Sequence, residues 1–376
     1  MRYWILLFSV IFVFSSCSDE QEVNKEESTS EKTDTTKQNK GGREIIDAGS
    51  QAQYTGKPRQ LMIVADNTVY VEEIEQVFDS VFQQGIRPYY PLTEYFKVYH
   101  RTEAEFKRLS TQLRNVIELV IDENIEKGDP KMFIYENYYS RTQLYTKLKA
   151  NDMSDLFQLV EQEIDYLFKL YDKQEWKREF IRHSRNENVE TREKLQAKFG
   201  IDLTLPSRFR YESIDNTYGI VLLPEKTRQM DLKFGSNSTS GVNFIQSGLM
   251  IWQYPYTDTS QFSPENLMMM RDTILKQYAK HEMKGVYMGT QNHPAVLPIH
   301  EKLRVGDVTG YQFRGMYKFT GEAEPSGGRF WSYHFRHPHR KTIVALSGYI
   351  DAPPTISPAL EISQIRAMIY SLKVVE

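Results

Sequence analysis

The sequence predicts an α+β fold: an N-terminal α/β sheet-and-helix domain, a long helical connector, and a C-terminal antiparallel sheet with two helices. Three observations carry this expectation. Short apolar runs alternate with segments of helical spacing between residues 59 and 150. One amphipathic stretch then runs from Met153 to about His183. From Ile201 onward, strand-length segments separated by turn residues take over. Aromatic residues make up 13% of the chain, with 24 Tyr and 20 Phe, and such side chains suit the pleated surface of a sheet.

Each element has its own signal. Leu61 to Val64 reads as a short buried strand, ending at Ala65-Asp66-Asn67, where Asp66 or Asn67 offers a helix cap. Val71, Ile74, Val77, Phe78, Val81 and Phe82 then recur at helical spacing, and Gly85 supplies the stop. Tyr95 to Tyr99 alternates as a strand, a short helix falls near Phe106 and Leu109, and strands follow at 116–121, 132–139 and 144–148. The order β-α-β-α-β-β describes a sheet with helices packed on it. Met153, Leu156, Phe157, Val160, Ile164, Leu167, Phe168 and Tyr171 hold one apolar face, opposite Glu161, Asp165, Lys169, Asp172 and Lys173. The pattern fades after Tyr171, which fits an amphipathic core helix and not a coiled coil. Asn186-Glu187-Asn188 interrupts it, and a second helix runs to Phe199 before Gly200.

The C-terminal half places strands at 201–205, 209–214, 218–223 and 249–254. A helix opens at Ser263-Pro264-Glu265, with Ser as cap and Pro at the first helical position, and ends near His281. Strands at 286–290, 310–319, 329–336 and 342–350 follow, and a helix from about Ser357 to Leu372 closes the chain. This strand-rich half is loosely similar to the PsbP-like fold. The expected division is 59–150 for the first domain, 151–199 for the connector and 200–376 for the second domain.

Residues 1–58 have a different character. Arg2 precedes an apolar run from Tyr3 to Phe14, and Ser15-Ser16 leads into Cys17, the only cysteine. The run fits a secretory signal, and at about a dozen residues it falls short of the ~20 needed to span a bilayer. Ser15-Ser16-Cys17 resembles a bacterial lipoprotein cleavage box, although Phe14 stands where Leu is usual. The resemblance implies removal of residues 1–16 and lipidation of Cys17, whose acyl chains would anchor the protein. Loss of the leader removes one of 47 basic residues, leaving 46 against 50 acidic and a net charge of −4. This near-neutral balance implies no affinity for nucleic acid. With its one thiol lipidated, the mature chain has neither disulfide nor Cys-ligated metal. Residues 17–58 contain almost nothing apolar and are expected to form a disordered tether. Ser18-Asp19-Glu20-Gln21-Glu22 resembles the acidic signal that sends Bacteroidetes lipoproteins to the outside of the outer membrane. Asp34-Thr35-Thr36 resembles an O-glycosylation site of that phylum, at Thr35. Asn237-Ser238-Thr239 fits an N-glycosylation sequon and is read as turn chemistry.

Catalytic patterns are scarce. His281-Glu282 and His300-Glu301 lack the second histidine of a zincin helix. Neither a nucleophile elbow, a phosphate-binding glycine loop nor a calcium loop is present. Carboxylate pairs such as Glu72-Glu73, or Glu322 with Glu324, offer acid–base chemistry on sugars, but pairs are expected among 50 acids. His334, His337 and His339 are weak metal candidates, because Arg336 and Arg340 interleave and Pro338 places them in a hairpin turn whose side chains point outward. Arg336, Arg340 and Lys341 offer an anion site at the same turn. Arg271-Asp272 and Arg314 read first as a helix-to-sheet ion pair.

Several phrases together carry a family resemblance: Pro88 to Phe96 with Arg114-Asn115-Val116-Ile117; Phe199-Gly200-Ile201 with Leu205-Pro206; Arg271-Asp272-Thr273-Ile274 with Tyr278 and Tyr287-Met288; Arg314-Gly315-Met316-Tyr317; Gly327-Gly328-Arg329-Phe330; Gly348-Tyr349-Ile350-Asp351-Ala352-Pro353; and Ser371-Leu372-Lys373. They resemble the Bacteroidetes lipoprotein family of domain of unknown function 4837. The resemblance implies an envelope lipoprotein and brings no activity, cofactor or catalytic residue. The expectation is therefore a non-catalytic, lipid-anchored outer-membrane protein that faces outward and binds envelope machinery or a glycan without a cofactor. A polysaccharide or peptidoglycan hydrolase using carboxylates is the alternative.

Overall fold

The computed structural model describes residues 36–38, 44–222, 226–234, 237–280, 283–321, 327–353 and 356–376. Cys17 and Thr35 lie outside the described residues, as do His281, Glu282, Glu322 and Glu324.

The N-terminal lobe is a seven-stranded mixed sheet. In chain order it runs β1 (Thr36–Gln38), β2 (Glu44–Asp47), β3 (Gln60–Val64), α1 (Glu72–Phe82), β4 (Lys97–Arg101), α2 (Glu103–Leu109), β5 (Asn115–Ile121), β6 (Lys131–Glu136) and β7 (Leu144–Ala150). The spatial order is β1-β2-β6-β7-β5-β3-β4. β3 pairs in parallel with β4 and β5, and β5 with β7, whereas β6 runs antiparallel to β7. Leu61, Ile63, Ile117 and Leu148 bury one sheet face against Ile74, Phe78 and Phe82 of α1 and the helix α3 (Met153–Ser184). Phe106 of α2 covers Val64, Val116 and Tyr145 on the opposite face.

Three local expectations are corrected. The stretch 44–58 is not free tether: β2 pairs in parallel with β6, and Thr55 bridges to Leu113. β1 pairs in turn with β2, so residues 36–38 of the expected tether also join the sheet. α1 is not capped by Asp66 or Asn67 and begins after Val71, because the Asp66 carbonyl closes a turn by accepting from Val69 and Tyr70 N–H. The helix stops at Gln83, and Gly85 instead pairs across to Glu94.

α3 spans 32 residues, with Asp152 capping its start by accepting from Asp155 N–H at 3.0 Å. Up to Tyr171 it buries the apolar face that its spacing predicts. Beyond Tyr171 it buries Gln174, Glu175, Arg178, Glu179 and His183 instead. Asp172, expected on the solvent face, is corrected to a nearly buried ion-pair partner, 13% exposed. α4 (Val189–Phe199) follows and ends on Gly200 in the left-handed region, φ 65°, where glycine is favoured.

The C-terminal lobe is a curled antiparallel sheet with three helices against it. It comprises β8 (Ile201–Asp202), β9 (Arg210–Ser213), β10 (Tyr218–Leu222), β11 (Lys226–Phe234), β12 (Asn237–Pro255), α5 (Pro264–Tyr278), β13 (Tyr287–Thr290), β14 (Ile299–Val305), β15 (Val308–Thr320), β16 (Gly327–Arg336), β17 (Thr342–Asp351), α6 (Ala359–Tyr370) and β18 (Lys373–Val374). The order is β13-β15-β16-β17-β12-β10-β9, with β14 also on β15 and β11 on β12, while β8 and β18 form a separate pair. α5 starts as its sequence indicates, with Ser263 Oγ accepting from Asn266 N–H and Pro264 at the first position. β11, β14 and β18 were not anticipated, and Asn237, read as a turn, opens β12. One sheet face packs on α4 and α6 through Trp331, Tyr333, Leu346, Ile365 and Met368. The other packs under α5 through Trp252, Phe313 and Phe330.

The lobes are joined by more than the chain. The segment 86–95 lies on the second sheet: Tyr89 Oη donates to the Phe330 carbonyl at 3.0 Å, and Arg329 and Arg314 donate to the carbonyls of Pro91 and Arg87. Among the described residues no helix is long and apolar enough to cross a membrane.

Candidate functional site

A groove of about 350 Å³ lies between α3, α6 and the turn joining β14 to β15. Its walls are aromatic. Trp176 of α3 meets Tyr370 of α6 edge to face at 5.2 Å, and Phe168 lies a further two turns up α3. Its rim carries Lys169, Lys173 and Arg304. Its floor is ionic: Arg366 holds Asp172 with two parallel bonds, Nη1 to Oδ1 and Nη2 to Oδ2, each 2.7 Å. This fork is the strongest geometry available to an arginine and a carboxylate. Arg59 adds a third bond to Asp172 Oδ1 at 3.0 Å.

The elements explain the convergence. Asp172, Lys169 and Trp176 share a face because residues three and four apart on a helix are neighbours. Arg366 and Tyr370 are likewise four apart on α6. Tyr370 Oη donates to Gln312 Oε1 at 2.7 Å, and Trp331 Nε1 donates to the same oxygen at 2.9 Å. The Arg366 guanidinium lies 4.9 Å from the Trp331 ring and 5.5 Å from the Tyr370 ring, within cation–π range. Arg366 Nε is buried with no partner.

The charge state of the floor follows from these contacts. Burial opposes the Asp172 carboxylate, yet Arg366 and Arg59 outweigh it and bring its pKa down to about 2. Burial raises the pKa of Tyr370, which therefore stays a neutral hydroxyl. The groove thus presents a fixed carboxylate already matched by two guanidiniums, with three further cations at its edge.

The residues singled out from sequence lie elsewhere. His334 is buried in β16 under α5, where burial drives its pKa down to about 3. Its Nε2 meets Ser332 Oγ at 3.3 Å. His337 is also fully buried, which corrects the expectation of outward side chains at this turn. Its Nδ1 accepts from the N–H groups of His339 and Arg340, so Nε2 carries the proton and donates to the Gly200 carbonyl at 3.0 Å. Arg340 Nη1 donates to the Lys198 carbonyl at 2.9 Å. His337 and Arg340 thus satisfy carbonyls left open at the end of α4. Arg336 lies 4.6 Å from the Tyr256 ring, so it and Arg340 are directed to different neighbours, and Lys341 is exposed. Among the described residues no three His, Cys, Asp or Glu side chains are grouped to hold a metal ion.

The Arg271-Asp272 pair of α5 and Arg314 of the sheet do not meet in a helix-to-sheet ion pair. Arg271 is fully buried, donates to Thr290 Oγ1 at 2.8 Å and stacks 3.8 Å from the Phe330 ring, with its sequence neighbour Asp272 at 3.6 Å. Arg314 forks onto Glu301 within the sheet, with both bonds 3.1 Å. The groove itself was missed. The available signal was the fading of the α3 pattern at Tyr171, where charge replaced apolar residues.

The fold and groove define a two-lobed α+β protein whose groove is walled by one helix from each lobe. Residues 188–371 are a domain of unknown function, DUF4837, and residues 55–183 match a second domain of unknown function, DUF8532. The groove takes α3 from the DUF8532 region and α6 from the DUF4837 region. No curated protein matches the chain. Among solved structures, the Saccharomyces cerevisiae Ran-binding protein Mog1p is similar at 9% identity, covering 47% of this chain and 91% of that one with a TM-score of 0.29. A mutant of protein Mog1 gives 10%, 47%, 92% and 0.28.

Proposed function

We propose that this chain is a non-catalytic binding protein, anchored through lipidated Cys17 to the outer face of a bacterial outer membrane, whose inter-lobe groove receives an acidic glycan. The Bacteroidetes lipoprotein assignment and the PsbP-like character of the C-terminal lobe belong to the same reading. Its main support is the chemistry of the groove. Among the described residues Asp172 is the one carboxylate lining it, and two arginines hold that carboxylate ionised. A glycoside hydrolase needs two carboxyl groups flanking the bond, one of them kept protonated as general acid. Asp172 is poorly suited to that role. Trp176 and Tyr370 offer flat faces for sugar rings, and Lys169, Lys173 and Arg304 offer charge for acidic substituents.

Titration with acidic and neutral oligosaccharides, followed by tryptophan fluorescence, tests the groove. The acidic series is expected to bind, and Trp176→Ala to weaken it roughly tenfold, the equivalent of ~1.4 kcal/mol. Binding that is indifferent to Trp176→Ala, or turnover of any glycan in the series, sinks the reading. The anchor has a separate test. Cys17→Ser should move the protein from the membrane fraction to the soluble fraction, since stable attachment needs the acyl chains. A Cys17→Ser protein that still sediments with membranes would falsify the lipid anchor.

A further inference from the structure

A second groove, of about 380 Å³, opens where the loop after α1 meets the loop before β14. The first loop is fastened from below. Ile86 N–H donates to the Thr93 carbonyl at 2.7 Å and Tyr89 N–H to the Ile86 carbonyl at 2.9 Å, while Tyr89, Arg314 and Arg329 tie the loop to the second sheet. The second loop is closed by a single 3-10 turn, Pro294–Val296, with Gln291 N–H donating to the Met316 carbonyl at 2.8 Å. Above these fastenings three large apolar side chains are left in solvent. Tyr90 is 71% exposed, Leu92 68% and Leu297 52%, and all three line the one groove. Single exposed apolar residues need no explanation, but a cluster of them on one built surface marks a place that meets a protein or a membrane.

The chemistry of the lining favours a membrane. Among the described residues Arg87 is the one charged side chain in it, and its other polar side-chain groups are the hydroxyls of Tyr89 and Tyr90. That of Tyr89 is already engaged by the Phe330 carbonyl. A protein partner is positioned by hydrogen bonds, about one for each 100–200 Å² of interface. This surface has few to give, and a bilayer needs none. Charge agrees. Neither 84–93 nor 291–300 contains an acidic residue, in a chain that has 50. The flanking carboxylates are directed elsewhere: Arg314 forks onto Glu301, and Glu94 lines a different cavity. The exposed Arg87 therefore suits lipid phosphates, and tyrosine is a residue enriched at the membrane–water interface. Chain length adds a third argument, which rests on the proposed anchor. Residues 18–35 separate Cys17 from β1. A chain of that length reaches at most about 65 Å, so the body stays close to the bilayer and a modest contact is enough to hold it there.

We propose that the loops 85–93 and 291–299 form a bilayer-contacting surface, with Tyr90, Leu92 and Leu297 seated among the upper acyl chains and Arg87 at the phosphates. The surface is separate from the glycan groove and does not depend on it. The test uses the full chain with Tyr90→Trp as reporter, on vesicles of phosphatidylethanolamine and phosphatidylglycerol with or without bromine on the acyl chains near the headgroup. The emission that the reporter adds to that of the parent should fall at least about twofold in the brominated vesicles, because an interfacial apolar surface sits ~5–10 Å into the headgroup and acyl boundary. Leu92→Ser/Leu297→Ser in the reporter chain should restore most of that emission. Both leucines are largely exposed, so the unfolding midpoint should stay where it is. Flotation of the same vesicles reads attachment separately. Protein that floats with its added emission unchanged overturns the contact, leaves the anchor standing and leaves the patch to a protein partner. Protein that does not float overturns the contact together with the anchor. Quenching that persists in the double serine variant also overturns the proposal.

Discussion

Replacing Glu175 by Ala is expected to cost about 3–5 kcal/mol of folding stability, the range for removing one partner of a buried ion pair. Glu175 is 1% exposed and serves four groups. Its Oε1 accepts from Asn115 Nδ2 and Arg178 Nη1, both at 2.7 Å, and lies 3.3 Å from Arg114 Nε. Its Oε2 accepts from the backbone N–H of Arg59 at 3.2 Å. Without it, Arg178 loses its carboxylate partner and Arg114 keeps only its weaker attraction to Glu179. Burial already pulls the Arg178 pKa down to about 10 despite the carboxylate. Urea unfolding monitored by tryptophan fluorescence measures the loss. Glu175→Gln, which keeps an acceptor but no charge, should fall between the parent and the alanine variant. A loss below about 1 kcal/mol would show that the arginines find other partners. The pH dependence has a definite sign. Burial opposes the Glu175 carboxylate, but Arg114, Arg178 and Arg59 prevail and lower its pKa. Its stabilisation is therefore complete above the ordinary glutamate range and is lost as pH falls through the lowered folded value. The gap between parent and Glu175→Ala should close in acid.

The second large effect is steric. Gly348 lies in β17 beneath α6, and a Cβ built there would sit 2.2 Å from Ile365 Cγ2 and 2.9 Å from its Cδ1. Ile365 is fully buried, so it cannot swing aside, and the helix must lift from the sheet. Gly348→Ala should cost up to about 3 kcal/mol, the upper end for an added core methyl. The same displacement moves Arg366, the next residue, away from Asp172. A double-mutant cycle with Ile365→Ala isolates the clash. That substitution alone costs roughly 2–5 kcal/mol, but the pair should cost clearly less than the two singles together. Strict additivity would show that Gly348 is needed for some reason other than room for Ile365.

What the sequence made legible was local. The 3.6-residue spacing of α3 up to Tyr171, the Ser263-Pro264 start of α5 and the glycine stop at Gly200 all depend on neighbours within a turn or two, and each stands in the structure. The groove depends on pairings across the chain. Asp172 looks like one more charge on a wet helix face until Arg366, nearly 200 residues later, is placed beside it. Arg59 is a single charge before a strand, and only the fold reveals that Phe96 and α6 enclose it. The histidine cluster misled for a related reason. Strand alternation carries His334 inward under α5, and the turn that follows folds His337 back beneath α4. β14 was missed because its exposed flank carries Glu301 and Lys302, so its alternation is weak.

Asp172 is held by Arg59 from the sequence before β3 and by Arg366 from the closing helix, while it belongs to α3 itself. Three distant stretches of the chain are thus answerable to one carboxylate. The regions 55–183 and 188–371 are distinct as domain models, but neither is a portable module here. Arg366 of the second finds its counter-charge in Asp172 of the first, so parting the two halves would leave a buried guanidinium without its carboxylate.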